Sequence, residues 1–136
     1  MIYGAHPEGI FVGRAELKGE DGTSVGKDNN GWMLYRENTL VIRGDSLFLK
    51  EAFICYIKGI RYEIAATPTT VSTFAGRIGE DSTVFLQAIT CETCKRELKQ
   101  NPETGVYEEV LGGKTVVIRF KDDMVYIDDM VYMKRG

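Results

Sequence analysis

The sequence predicts an all-β fold: one domain of 136 residues, in which an antiparallel up-and-down meander closes partly or fully into a β-barrel with at most one short helix. Glycines and other turn residues recur about every eight to twelve positions, which is the spacing typical of β-sandwiches and barrels. The runs between them are short and rich in β-branched and aromatic residues, and sustained helical periodicity is missing. A chain of this length buries roughly two-thirds of its unfolded surface around one core.

The first strand is predicted at IFVGRAEL, residues 10–17, because apolar and small residues alternate there before a polar stretch begins. Residues 19–31, GEDGTSVGKDNNG, are rich in glycine and contain Val25 as their one bulky apolar residue. We therefore expect a mobile loop at 19–31.

Residues 39–64 contain the clearest strand pattern. Leu40 and Ile42 alternate with residues that end in the charge of Arg43, so one face of that strand is apolar. Alternation resumes at 53–57 and again from residue 60, with Lys58-Gly59 between the two runs. This arrangement predicts a tight hairpin.

The stretch KDDMVYIDDMVYMKR, residues 121–135, nearly repeats six residues. Short polar side chains bond locally to the backbone and tolerate turn dihedrals, so we place Asp122, Asp123, Asp128 and Asp129 in turns between the closing strands of the meander. The alternative is a calcium or magnesium site made of these carboxylates. It has the right ligand type but lacks the spacing and glycine of a loop such as the EF-hand.

Closure into a barrel would remove the exposed sheet edges of such a meander. Eight to ten strands leave an interior for side chains or for one small ligand, and close packing favours the filled interior. We expect the following residues to face inward: Phe11, Leu17, Leu40, Ile42, Phe53, Ile57, Ile60, Tyr62, Ile64, Val116, Ile118 and Phe120. If a ligand is bound inside, the candidates for its contacts are Phe53, Ile57, Tyr62, Ile64 and Phe120.

Two resemblances bear on function. TVVIRFKDDMVYIDDMVYMKR, residues 115–135, together with 39–64, resembles the end of small bacterial lipocalin-like (calycin-type) barrels, although Gly31-Trp32 stand adjacent here instead of as Gly-x-Trp. That resemblance implies a barrel that holds a small apolar ligand. Lys58-Gly59-Ile60-Arg61-Tyr62 resembles the Ser-Gly-x-x-Tyr segment of barrel-shaped inhibitors of C-type lysozyme, with lysine at the serine position. This second likeness implies a protein inhibitor.

Residues 91–105, CETCKRELKQNPETG, are the most suggestive chemically. Cys91 and Cys94 have the spacing of a redox pair or of half a zinc site, and Cys55 with His6 would complete four soft ligands. We rank plain small apolar residues above a redox or internal disulfide role, and that role above zinc. Cys55 is expected to point into the core.

The same segment fits either a short helix after Thr90 or a hairpin across the turn at 101–105, and we favour the hairpin. Both of its strands are charged, so residues 92–111 should project into solvent. The candidate partner-binding residues on this hairpin are Lys95, Arg96, Lys99 and Tyr107.

Composition and charge narrow the function classes. The net charge is −3, and no dense Lys and Arg cluster is present, which disfavours nucleic acid as a partner. No apolar run reaches the ~20 residues of a membrane span. His6, beside Pro7, is the only histidine, so no catalytic constellation is evident. We expect a non-enzymatic binding module without a cofactor, whose partner is a small apolar ligand or a protein.

The compartment has two possible readings. The start of the chain lacks the features of a signal peptide, which favours the cytoplasm, unless a signal was removed from a periplasmic or secreted protein. The odd number of cysteines leans slightly towards a reducing compartment.

Overall fold

The structure is a computed structural model that describes residues 7–16, 32–57, 60–63, 71–92 and 94–135. Within these ranges all regular structure is strand, which confirms the predicted all-β class. They contain no helix with the length and apolarity of a membrane span. The expected loop at 19–31, Leu17, Ile64 and His6 lie outside the described residues.

The described residues form eleven strands, in this order: Gly9–Glu16 (β1), Trp32–Arg43 (β2), Ser46–Ile57 (β3), Ile60–Glu63 (β4), Ser72–Arg77 (β5), Thr83–Thr90 (β6), Arg96–Gln100 (β7), Tyr107–Leu111 (β8), Gly113–Lys121 (β9), Met124–Ile127 (β10) and Met130–Lys134 (β11). Eight of them form a closed antiparallel barrel in the order β1-β2-β3-β5-β6-β9-β10-β11, and β11 pairs back onto β1. The connectivity is up-and-down, as predicted.

The barrel interior follows from two-residue alternation along each strand. Leu40 and Ile42 on β2 are fully buried, as are Phe11, Val116 and Ile118 on the strands around them, so these five predictions are correct. The apolar core also contains residues that the sequence did not single out: Leu47, Leu49, Phe74, Ile78, Val84, Leu86, Val125, Ile127 and Tyr132. Phe120 packs against this core while remaining partly exposed.

Strand β4 corrects the predicted interior. The hairpin is present, since Ile57 pairs with Ile60. However, β4 pairs with β3 alone and is not among the eight strands of the closed ring. Ile60 is consequently 59% exposed and Tyr62 47% exposed, so the expectation that they face inward is wrong.

The paired aspartates lie in turns. Asp122, Asp123 and Asp128 have φ of 52°, 64° and 50°, in the left-handed region that aspartate tolerates better than most residues. Asp128 also continues the ladder between β9 and β10: its N–H donates to the carbonyl of Val117 at 2.8 Å, and its carboxylate accepts from the Val117 N–H at 2.9 Å. The repeated sequence is therefore architectural. Across the described part of the chain, no three His, Cys, Asp or Glu side chains lie together as a metal site would require.

Residues 96–111 form the predicted hairpin instead of a helix. Strands β7 and β8 pair from Arg96 with Leu111 to Gln100 with Tyr107. Every residue of β7 is exposed, and the hairpin is fixed at its base by the Gly112 N–H, which donates to the carbonyl of Lys95.

Close approach of strands requires a glycine at the start of β9. A Cβ added at Gly113 would lie 2.2 Å from the carbonyl oxygen of Leu86, which is backbone and cannot move aside. We predict that Gly113→Ala lowers the free energy of unfolding by about 1–3 kcal/mol, because two paired strands must separate. In urea unfolding, the control Gly79→Ala, whose Cβ would meet nothing within 4 Å, should stay within about 1 kcal/mol of wild type. Equal effects of the two substitutions would contradict the prediction.

Candidate ligand-binding cavity

A cavity of about 550 Å³ lies at one end of the barrel, and we call it the mouth cavity. Its lining comes mainly from the inward faces of β1, β2, β3, β9 and β11 and from the turn at 128–129. Apolar walls are supplied by Leu49, Val116, Ile127 and Met130. The opposite end of the interior is filled by side chains such as Ile42 and Leu47. Thus the interior is packed at one end and open at the other.

Five polar side chains lie together in the mouth cavity, and we call them the polar cluster: Arg36, Asn38, Glu51, Lys114 and Tyr132. All five occupy positions where the alternation of their strand points inward. Arg36 and Asn38 precede Leu40 and Ile42 on β2, Glu51 follows Leu47 and Leu49 on β3, and Lys114 precedes Val116 on β9.

Glu51 is the electrostatic centre of the polar cluster. Its side chain is 15% exposed, and its carboxylate accepts a hydrogen bond of 2.8 Å from Lys114 Nζ. Arg36 Nη1 lies 3.7 Å from the other carboxylate oxygen, which is beyond hydrogen-bond length. Lys114 also lies 4.6 Å from the centre of the Phe74 ring, and Arg36 lies 4.8 Å from that of Phe53. The aromatic faces help to compensate both cations for lost water.

Asn38 reaches across a strand to Tyr132. The two residues both pair with Gly13, which lies between them on β1 and has no side chain to separate them. Asn38 Nδ2 donates to Tyr132 Oη at 2.9 Å and lies 3.5 Å from Met130 Sδ. Asn38 is 3% exposed, yet its Oδ1 has no hydrogen-bond partner in the described structure. Such an unpaired buried acceptor costs about 1–3 kcal/mol.

The environment of Tyr132 favours its neutral form. Burial raises the pKa of Tyr132 to about 12, the hydrogen bond from Asn38 opposes that rise, and the negative charge of Glu51 adds to it. The hydroxyl is therefore protonated at neutral pH and can donate a hydrogen bond.

The polar cluster presents a defined set of side-chain groups to the mouth cavity. Its carboxylate is held by two cations, and no imidazole or free thiol lines the mouth cavity among the described residues. What it offers an occupant is an apolar wall, a guanidinium with unused donors, a tyrosine hydroxyl and an unpaired amide oxygen.

Most of the ligand contacts predicted from the sequence lie elsewhere. Phe53 is half-buried and stacks with Arg36 at the edge of the polar cluster. Phe120 packs against the core, and Tyr62 is on β4 outside the ring. The side chain of Ile57 and all of Ile64 lie outside the described residues.

The three cysteines separate into two environments. Cys91 and Cys94 form a disulfide at the base of the β7–β8 hairpin, with Cys91 buried in the core, so the ranking of plain apolar residues above a disulfide is corrected. Cys55 is a free, half-buried thiol on β3 and is not part of the apolar core, contrary to expectation. The predicted partner-binding residues Lys95, Arg96, Lys99 and Tyr107 are all exposed on or beside the hairpin.

We predict that the stability of the protein falls between pH 10 and pH 12, because the folded pKa of Tyr132 is raised from 10.0 to about 12. The stabilisation is fully present below the unfolded pKa and is lost as pH rises through the folded one. A shift of this size corresponds to roughly 2–3 kcal/mol. Urea unfolding on both sides of this window should show a larger loss in wild type than in Tyr132→Phe. Absorbance titration in which the tyrosinate of Tyr132 forms near pH 10 would contradict it.

Comparisons with protein-family models, with curated proteins and with solved structures gave no match to this chain. A functional assignment therefore depends on the geometry of the barrel and of the mouth cavity.

Proposed function

We propose that this protein is a non-enzymatic binding module that holds one small amphipathic molecule in the mouth cavity. The observation that carries the proposal is the cavity itself: about 550 Å³ at the solvent-open mouth of a closed barrel, lined by apolar side chains and by the polar cluster. Volumes of about 300–1,000 Å³ with few convergent polar groups are typical of small-molecule sites.

The apolar wall supports an occupant with a hydrocarbon part. Met130 is half-buried and Val131 is 38% exposed, so both present apolar surface in the lining, and the unbranched thioether of Met130 adapts to different shapes. Apolar surface that an occupant covers here contributes about 25 cal/mol per Å². This agrees with the lipocalin-like character inferred from residues 115–135, which remains part of the proposal.

The polar cluster supports an occupant that also has a polar end. The carboxylate of Glu51 is largely removed from water, which carries a desolvation cost that an apolar residue of similar size would avoid, whereas Arg36 and Lys114 remain half-exposed. A chain that keeps Arg36, Glu51 and Lys114 at inward positions departs from ordinary core rules, and such departures concentrate at functional sites.

We predict saturable binding of one single-chain amphiphile per protein. Titration calorimetry with octanoate, octanol and N-octanoylglycine should detect at least one complex with a dissociation constant between about 1 µM and 1 mM. Ala15→Phe, on the inward face of β1, should weaken it by roughly tenfold or more because the ring occupies the mouth cavity.

The matched control is Ala75→Phe, which places the same ring on the outer face of β5 beside Phe48. This variant should bind as wild type does. Absence of saturable binding for every amphiphile, or equal loss in the two variants, would refute the proposed function.

A second function, as an interaction domain or inhibitor of a protein partner, is supported by the β7–β8 hairpin. Leu98 is 71% exposed and Tyr107 64% exposed, and they lie on adjacent strands. Large exposed apolar side chains on a protruding element are typical of contact surfaces.

A thiol-redox role is supported by the Cys91–Cys94 pair itself, but the burial of Cys91 limits access to its sulfur. A zinc site at Cys91 and Cys94 is not proposed, since two sulfurs joined in a disulfide supply no thiolate ligand.

A further inference from the structure

We infer that the outer edge of β7 binds a second copy of this chain, so that two β7–β8 hairpins join into one four-stranded antiparallel sheet. The inference concerns a surface outside the mouth cavity and does not depend on a ligand there. Two observations carry it. The outer edge of β7 is unpaired among the described residues, and the order of charges along β7 is complementary to itself in the antiparallel direction.

The outer edge of β7 is open to solvent. β7 pairs with β8 alone, and all five of its residues are exposed. Leu98, in the middle of the strand, is 71% exposed, which is the largest value among the exposed large hydrophobic side chains of the described residues. A strand edge with unpaired N–H and C=O groups is a template for a strand of another chain.

The hydrogen bonds at the two ends of the hairpin show which backbone groups face this edge. The Asn101 N–H donates to the Val106 carbonyl, and the Gly112 N–H donates to the Lys95 carbonyl, both at 2.8 Å. Hydrogen-bonded and non-hydrogen-bonded pairs alternate along an antiparallel ladder, so the odd-numbered residues of β7 bond to β8. The residues that point their N–H and C=O groups to the open edge are therefore Arg96, Leu98 and Gln100.

Charge selects one register for two β7 strands. Antiparallel pairing through the outward groups can be centred on Glu97, Leu98 or Lys99. Centring on Glu97 places two carboxylates opposite each other, and centring on Lys99 does the same with two ammonium groups. Centring on Leu98 places Glu97 opposite the second copy's Lys99 on both sides of the two-fold axis. Opposite charges across a strand pair stabilise it, whereas like charges destabilise it.

The register centred on Leu98 also uses the outward backbone groups and the exposed side chain. Leu98 pairs with the second copy's Leu98, and Arg96 pairs with the second copy's Gln100, so all the outward N–H and C=O groups find partners. Glu97 and Lys99 make no ion pair with another described residue, which leaves both charges available. The same patch serves both copies, so the contact closes as a dimer.

The outer edge of β8 does not offer this pairing. Its middle residue is Glu109, so antiparallel pairing of two β8 strands about that residue would place two carboxylates opposite each other. The Leu111 carbonyl already accepts a hydrogen bond of 2.5 Å from Gln87 Nε2. The hairpin therefore presents β7, and not β8, to a second copy.

Sedimentation velocity of the wild-type protein over a range of concentrations tests the association. A contact of one short strand from each copy is a small interface, so we expect a dissociation constant between about 10 µM and 1 mM. The measurement should be made at about 50 mM salt, where exposed charges are less screened than at physiological ionic strength.

Charge exchange identifies the strand. Glu97→Lys and Lys99→Glu each turn both attractive pairs into like-charge pairs, so either variant alone should associate roughly tenfold more weakly or worse. An equimolar mixture of the two variants places opposite charges at both positions again and should associate within about threefold of wild type. The control Glu103→Lys makes the same charge change in the exposed turn of the hairpin and should associate as wild type does.

A proline at the two-fold axis tests the backbone pairing. Because the Leu98 N–H points to the open edge, Leu98→Pro removes that donor without removing a hydrogen bond to β8, and this variant should lose the association. Leu98→Val keeps the donor and an apolar side chain, and should associate within about threefold of wild type. Circular dichroism checks that each variant is folded, and the two Leu98 variants decide the matter if the charge variants are not.

Two results would overturn the inference. Wild-type protein that remains monomeric up to about 1 mM excludes the dimer and leaves the proposed ligand-binding function standing. Association that both single charge variants and Leu98→Pro retain at wild-type strength excludes β7 as the contact.

Discussion

The row of residues that crosses the closing strands determines the interior of this barrel. Glu51, Asn38, Gly13 and Tyr132 lie side by side on β3, β2, β1 and β11, and the last pairing is the one that joins the two ends of the chain. Closure needs a small residue on β1, because a Cβ at Gly13 would lie 2.9 Å from Met130 Sδ and 3.0 Å from the carbonyl oxygen of Val131. The same missing side chain lets Asn38 bond to Tyr132. Backbone closure and the polar cluster thus depend on one position.

This dependence explains why the polar cluster is tolerated. Glu51 would be costly inside a barrel if it were isolated, but Lys114 crosses the interior from β9 to bond to it, and Arg36 lies on the other side. The cations lie against aromatic faces, and the cluster is open to solvent through the mouth cavity. Asn38 Oδ1 is the exception to this compensation, since it has no hydrogen-bond partner among the described residues.

The strands and turns could be predicted because their signals are local. Alternation fixed the faces of β2 and β9, and the tolerance of aspartate for left-handed dihedrals fixed the turns of the final meander.

The polar cluster was missed because charged side chains at strand positions are usually expected to point outward. A signal existed: counting back by two from Leu40 gives Asn38 and Arg36, and counting forward from Leu49 gives Glu51. The inward position predicted for Tyr62 was wrong for a different reason, since no local sequence pattern indicates that β4 lies outside the ring. The Cys91–Cys94 bond was ranked too low because an odd cysteine count argues against disulfides in general and not against a pair of close neighbours.

The packed end and the mouth end of the barrel differ in the connections between their strands. At the packed end the strands are joined by short turns such as Gly44–Asp45 and Asp122–Asp123, and short turns keep neighbouring strands in register around a core. At the mouth end, β6 and β9 are joined through a longer segment that contains the disulfide and the exposed hairpin. Binding residues are commonly positioned by a rigid scaffold beneath variable connections. In this barrel the polar cluster is placed on strands and not on the connections, so its geometry is held by the hydrogen-bonded ladder. A ligand's head group would therefore meet a preformed set of donors and acceptors, and binding would require little ordering of the protein.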